Sequence, residues 1–246
     1  FSTGGGNPAA PDAGRNARGL GLDFKLPRGE AHRMALLSVP VFGAATPEGF
    51  LAVLRANLPD PATGKPDPAK QAAVRAAHPD TAAQPAWLAA NTPPWSYATT
   101  PYWGVHTFVA TGPDGRAHPL RLRFEPRDGV RRLAAEELAG APRDFLQARW
   151  DERVARGPVE WDLVLVLAND GDPLDDPSRE WTGAHREVKA GVLRLRAASG
   201  AEAQACTAIN FDPNVLSAGF APSADPVLRV RSLAYALSFG KRLSGQ

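Results

Sequence analysis

The sequence has a single cysteine, Cys206, so it carries no internal disulfide framework and no cysteine-rich metal site. That leaves the compartment open between periplasm and cytoplasm. Charge of one sign is also lacking. Lys and Arg number 28 against 26 Asp and Glu, a net +2 across 246 residues, and no basic run is interleaved with aromatics, so a nucleic-acid partner is not expected. The longest apolar stretch, "VEWDLVLVLAN", is too short and interrupted to span a bilayer, and a soluble chain is expected. The glycines at 4–6 are not followed by Gly-Lys-Ser/Thr, which removes a phosphate-cradling loop. There is no Gly-x-Ser-x-Gly elbow. The five histidines, at 32, 78, 106, 118 and 185, form no HxxxH pair and argue against zinc. "LANDGDPLDDPSREW" lacks calcium-loop spacing and reads as a solvated acidic loop.

What is present is mostly strand, in a chain long enough for one large domain. "GLGLDFKLPRGEAHRMALLSVPVF" reads as two strands around "PRGE". "TPEGFLAVLRANL" is a helix with Thr46 as cap and Pro47 in the first turn. The Ala/Pro-rich stretch over 59–95 reads as short helices in a surface excursion. "WGVHTFVATGPDGRAHPLRLRFEPRDG" is a hairpin turning at Pro113-Asp114-Gly115. "AAEELAGAPRDFLQARWDERVARG" is helix broken at "GAP"; "PVEWDLVLVLAN" and "REVKAGVLRLRAASG" are strands; "CTAINFDPNVLSAGFAPSAD" is an irregular connector. This is an α+β chain, an antiparallel sheet or barrel with inserted and C-terminal helices.

The closing segment "DPVLRVRSLAYALSFGKRLSG" is a helix capped by Asp225. Arg231 and Tyr235 stand at i, i+4, and Arg242 lies seven residues further on the same face. A guanidinium beside a phenol favours the phenolate, a hard anionic ligand suited to ferric iron. Seven residues span about two turns, roughly 10 Å, the reach from a haem iron to a propionate at the ring's edge.

The segment "NFDPNVLSAGFAPSADPVLRVRSLAYALSFGKRLSG" resembles the haem-ligand region of the haem catalases, through Phe211, Asp212, Pro213, Gly219, Phe220, Ser223, Asp225, Leu228, Arg231, Tyr235, Arg242 and Leu243. "FSTGGG…NARGLGLDFKL", "LLSVPVFGAATPEGF" and the "YWGVHTF…" hairpin are similar to further segments of that family, in its order. The shortness is most like the small catalase-related peroxidases. The resemblance implies a catalase-like β-barrel over 1–246 holding haem b. Tyr235 would be the axial iron ligand, Arg231 the cation that ionises it, His106 and Asp225 the partners of that arginine, and Arg242 a propionate clamp. Phe42 and Phe50 would line the distal side and its approach, and Ser2 would orient a distal histidine. Peroxide and a small-molecule reductant are the implied partners, and a homo-oligomer stays open. Small members of the family are often exported.

Two departures are visible. The family's distal histidine lies upstream of the F-S-T strand and no histidine here matches it, so the chain is expected to be an N-terminally incomplete fragment. The family's distal asparagine falls on Leu37, or on Ser38 if the match slips by one. Leucine cannot hydrogen-bond peroxide, which favours a peroxidase over a catalase disproportionating hydrogen peroxide. A haem-binding module without turnover and an apolar-ligand barrel are the competing readings.

Overall fold

The computed structural model describes residues 1–3, 10–27, 29–198, 206 and 208–245; the glycines at 4–6 and Arg28 of the first turn lie outside them. A curled antiparallel sheet is built from six successive strands, each paired with the next in chain order. Strands β1 (Gly19–Lys25) and β2 (Ala31–Leu37) form the first hairpin, in register from Gly19 opposite Leu37 to Lys25 opposite Ala31. β2 alternates cleanly, with His32, Met34 and Leu36 buried, as a strand with one face on a core must. It ends five residues short of the expected Phe42. Ser38 still sits opposite Arg18 and donates its N–H to the Arg18 carbonyl at 2.8 Å, but the Arg18 N–H goes to Ser38 Oγ, also at 2.8 Å, so the backbone ladder stops there, and Pro40 has no N–H to continue the strand.

Helix α1 (Pro47–Ala56) starts where expected, with Thr46 Oγ1 accepting from the Gly49 N–H at 3.1 Å. The Ala/Pro-rich excursion contains α2 (Pro68–Ala77), a 3-10 turn (Pro79–Ala82) and α3 (Ala83–Ala90). Strands β3 (Tyr102–Thr111) and β4 (Ala117–Pro126) form the second hairpin, followed by α4 (Ala135–Ala139) and α5 (Phe145–Ala155). β5 (Val159–Leu167) and β6 (Glu187–Leu195) complete the sheet. Within the irregular connector, Phe220–Pro222 forms a short strand, β7, against the far end of β3.

The inner face is filled by Tyr102, Leu120, Leu122, Phe124, Leu146, Trp161 and Leu228, all at most 3 % exposed. Trp161 satisfies its buried indole N–H at the Thr100 carbonyl, 3.0 Å away. Helix α6 (Pro226–Leu243) buries only Val227 and Leu228 of its first turn in this core. The rest of the helix extends outward, half-buried or exposed, carrying Arg231, Tyr235 and Arg242.

The "GLG" of β1 is explained by two close approaches. A Cβ on Gly19 would lie 2.3 Å from Ser2 Oγ, and one on Gly21 would lie 3.0 Å from the Phe211 ring. Ser2 sits in an antiparallel bridge with Gly19, which itself faces Leu37, so Ser2, Gly19 and Leu37 form one row across the sheet.

The stretch read as a solvated acidic loop is instead a packed strap over 168–186, with Pro177 and Ser178 buried. Its backbone carbonyls are taken by Arg121, and its Trp181 lies under the same guanidinium, 4.7 Å from the ring centroid.

Candidate active site

The site begins with a defect in the sheet. Between Gly104 and Phe108 the register of β3 against β4 shifts, so that Val105–Thr107 are released from the ladder opposite Arg121. A bulge of this kind re-aims a side chain; here it turns His106 toward the start of α6. The freed Thr107 carbonyl accepts from the Ser223 N–H at 3.2 Å, which ties the connector to the bulge two residues before the helix cap.

Asp225 is that cap. It is fully buried, and its Oδ1 accepts from the Val227 and Leu228 N–H groups at 2.8 and 3.1 Å. A carboxylate there meets the positive end of the helix dipole. Its Oδ2 lies 2.6 Å from His106 Nδ1. On the other side of the ring, Arg231 Nη1 is 2.9 Å from His106 Nε2, and Arg231 Nη2 donates to Tyr235 Oη at 2.7 Å. Four side chains from a strand, a cap and a helix face thus form one line: Asp225, His106, Arg231, Tyr235.

The protonation along this line follows from the donors. Arginine has no acceptor, so Nε2 of His106 must accept and Nδ1 must carry the proton, donated to Asp225. Burial drives the same result. The His106 ring is 1 % exposed, and desolvation, opposed by Asp225 and reinforced by Arg231, brings its pKa down to about 4. The 2.6 Å contact is therefore a hydrogen bond from a neutral imidazole to a carboxylate rather than an ion pair.

The "FDPN" motif braces the helix from outside. Asn214 Nδ2 donates to the Leu228 carbonyl at 2.8 Å and to Ser232 Oγ at 3.0 Å, while Ser232 donates to Asp212 Oδ1 at 3.1 Å. Thr107, Arg121, Asn214 and Ser232 were not singled out as site residues from the sequence. Asn214 and Ser232 stand within the motif-rich segment and were within reach; Thr107 and Arg121 depend on the bulge.

The structure brings His106, Asp225, Arg231 and Tyr235 together. Phe42 lies 5.7 Å from the His106 ring and covers the imidazole, and Phe50 packs behind Phe42, ring centres 4.8 Å apart. Arg242 shares the Tyr235 face and donates to the Ile209 carbonyl at 3.1 Å. Ser2 stands apart from this group, in the row with Leu37 at the end of β1 and β2. Leu37 is half-buried, and the neighbouring Ser38 hydroxyl accepts from the Arg18 N–H at 2.8 Å.

The donor set can be tested against an iron-bound phenolate. The chain has three tyrosines. Burial pushes Tyr97 up to about 12 and Tyr102 well above the ordinary phenol value, so neither is suited to ionise. Tyr235 is the one whose oxygen receives a guanidinium hydrogen bond, and it stands on a helix face only partly covered by protein. Of the three phenols, Tyr235 is the one whose surroundings fit an oxygen that would hold an iron.

The family model "Catalase" matches residues 1–246. The chain is 48 % identical over 245 residues to the catalase-related peroxidase of Synechococcus elongatus, covering all of this chain and 72 % of that protein. It is 33 % identical to the catalase-related peroxidase of Mycolicibacterium paratuberculosis, covering 97 % of this chain and 75 % of that one. Among solved structures, a fungal catalase superposes with a TM-score of 0.85 at 21 % identity, over 97 % of this chain and 50 % of that one. Catalase A from Saccharomyces cerevisiae gives 0.82 at 21 % identity, covering 97 % and 52 %. The chain thus spans about half the length of the solved catalases it matches. That family is haem-dependent, and with the curled sheet and the full-length match in place, the chain belongs to the catalase family.

Proposed function

We propose that this chain forms the ligand-bearing part of a haem peroxidase that reduces hydrogen or organic peroxides at the expense of a small-molecule reductant, with Tyr235 as the iron ligand of haem b. The observation that carries this reading is the unbroken line Asp225–His106–Arg231–Tyr235. When bound, the haem supplies the iron at which the peroxide bond is broken and the redox equivalents that the reductant then repays.

The protein's own residues hold the ligand oxygen. Asp225 fixes the His106 tautomer through Nδ1–H; His106 Nε2 accepts one arm of Arg231 and so orients the guanidinium plane; the other arm donates to the Tyr235 oxygen and holds it in place. Phe42, backed by Phe50, keeps water from the imidazole, which preserves its neutral state. Arg242 lies on the same face and would hold a haem carboxylate in exchange for the Ile209 carbonyl.

Leu37 supports peroxidase over catalase chemistry. It offers peroxide no hydrogen bond, and the adjoining Ser38 hydroxyl accepts from the Arg18 N–H, which leaves it its own proton to donate. Catalase turnover needs a second peroxide bound well enough to act as reductant, whereas a peroxidase takes its electrons from another molecule.

The test is to load the full-length protein with haem and compare peroxide-dependent oxidation of a phenolic dye with oxygen release. Dye oxidation dominating is the expected result. Rapid, peroxide-limited oxygen evolution would overturn the peroxidase reading, and no peroxide reaction with an intact tyrosinate spectrum would leave a haem-binding module.

A further inference from the structure

Arg121 stands on β4 opposite the bulge, 8 % exposed, with no carboxylate of the described residues in contact. Nη1 donates to the Arg179 carbonyl at 2.7 Å; Nη2 donates to the Asp176 carbonyl at 3.0 Å and the Pro173 carbonyl at 3.3 Å; Nε reaches Thr107 Oγ1 at 3.4 Å. The plane of the guanidinium lies against Trp181. A buried cation satisfied by three carbonyls of one loop is a costly way to close a loop, since neutral dipoles replace an ion's hydration. The strap it gathers also passes to the other side of the site, where the Pro177 carbonyl accepts from the Phe42 N–H at 2.7 Å. Phe42 is the ring that covers His106.

We propose that Arg121 is a positioning residue of the site: it fastens the 168–186 strap to the bulge in β3 and thereby seats Phe42 over the His106 imidazole. This rests on reading the His106–Arg231–Tyr235 line as the support of an iron ligand. The charged groups that face His106 are Asp225 at the helix cap, Arg231 on α6 and Arg121 on β4, with Asp172, Asp176 and Glu180 of the strap beyond Arg121. Arg121 acts on the imidazole in two ways with one sign. Its charge repels a proton from the ring, and the strap it holds keeps water out, so that Nε2 stays free to accept from Arg231. Arg121 carries a cost of its own: burial brings its pKa down to about 10, still high enough for a full charge at neutral pH.

The two contributions separate by substitution. Arg121→Lys keeps the charge but loses the planar fork that serves carbonyls in several directions. Arg121→Met loses both. In the full chain without added haem, amide exchange is followed at strap groups such as Asn169 and Ser178, the His106 imidazole is titrated by NMR, and thermal melts report the global fold. Both variants are expected to exchange strap amides faster by about tenfold or more. The pH at which His106 protonates should rise in Arg121→Met, and by less in Arg121→Lys. Haem-loaded samples should lose the tyrosinate spectrum at a correspondingly higher pH. If Arg121→Met does not fold, the lysine variant decides. Parent-like strap exchange and an unmoved His106 titration in Arg121→Lys would overturn the proposal. Failure of the parent to take up haem would sink the ligand reading but not these measurements, which are made without it.

Discussion

Acid should weaken this protein, and His106 carries a share of the loss that can be isolated. His106 has an ordinary imidazole value near 6.5 when unfolded and about 4 when buried between Asp225 and Arg231. Its folded value is the lower one, so the unfolded chain binds the extra proton first. The stability that depends on a neutral His106 is therefore complete above pH ~6.5 and is lost as the pH falls toward 4. At pH 5 the two values correspond to about 2 kcal/mol, rising to about 3 kcal/mol once the folded imidazole also protonates. Protonation also removes the acceptor for Arg231 and sets two cations against each other. The perturbation is a change from pH 7.5 to pH 5, the assay is urea unfolding, and the control is His106→Gln, which has no imidazole. The parent is expected to lose about 2 kcal/mol more than the variant over that interval. Parallel losses in the two proteins would refute the claim that His106 is buried in its neutral form.

Further outcomes follow from the same geometry. Asp225→Ala removes both cap bonds and leaves the buried His106 Nδ1–H without its acceptor, so it should cost about 2–4 kcal/mol in urea unfolding; a loss below about 1 kcal/mol would contradict the assignment. Gly21→Ala places a methyl 3.0 Å from the Phe211 ring and should cost about 1–2 kcal/mol by strain, read as a lowered melting temperature. Leu37→Asn, tested on haem-loaded full-length protein, should raise the ratio of oxygen release to dye oxidation by about tenfold, the worth of one hydrogen bond to peroxide. An unchanged ratio would remove Leu37 from the account of selectivity.

Local signals carried much of this structure. Thr46 and Asp225 as caps, the hairpin turn at Gly115, and the shared face of Arg231 and Tyr235 are properties of a few neighbouring residues, and each is found where the sequence places it. The partnership of His106 with Asp225 spans 119 residues and entered only through family resemblance. The bulge in β3 left no trace in its own sequence, because "GVHTF" is a good strand and the shift exists only against β4. The strap departs from its sequence pattern for a related reason. Its acidic side chains mark it as solvated, but what it buries is backbone carbonyls and Trp181, and the arginine that gathers them lies 58 residues from Arg179. β2 ends early because, at the rung after Gly19 and Leu37, the Arg18 N–H is taken by the Ser38 hydroxyl in place of the Ser38 carbonyl.

The central claim is that the oxygen held by Arg231 is an iron ligand. The most direct test is the absorption and electron paramagnetic resonance spectrum of the ferric, haem-loaded protein beside that of Tyr235→Phe. A high-spin ferric tyrosinate signature in the parent that disappears in the variant, with the melting temperature held, is the predicted result. The same spectrum in both proteins would contradict it.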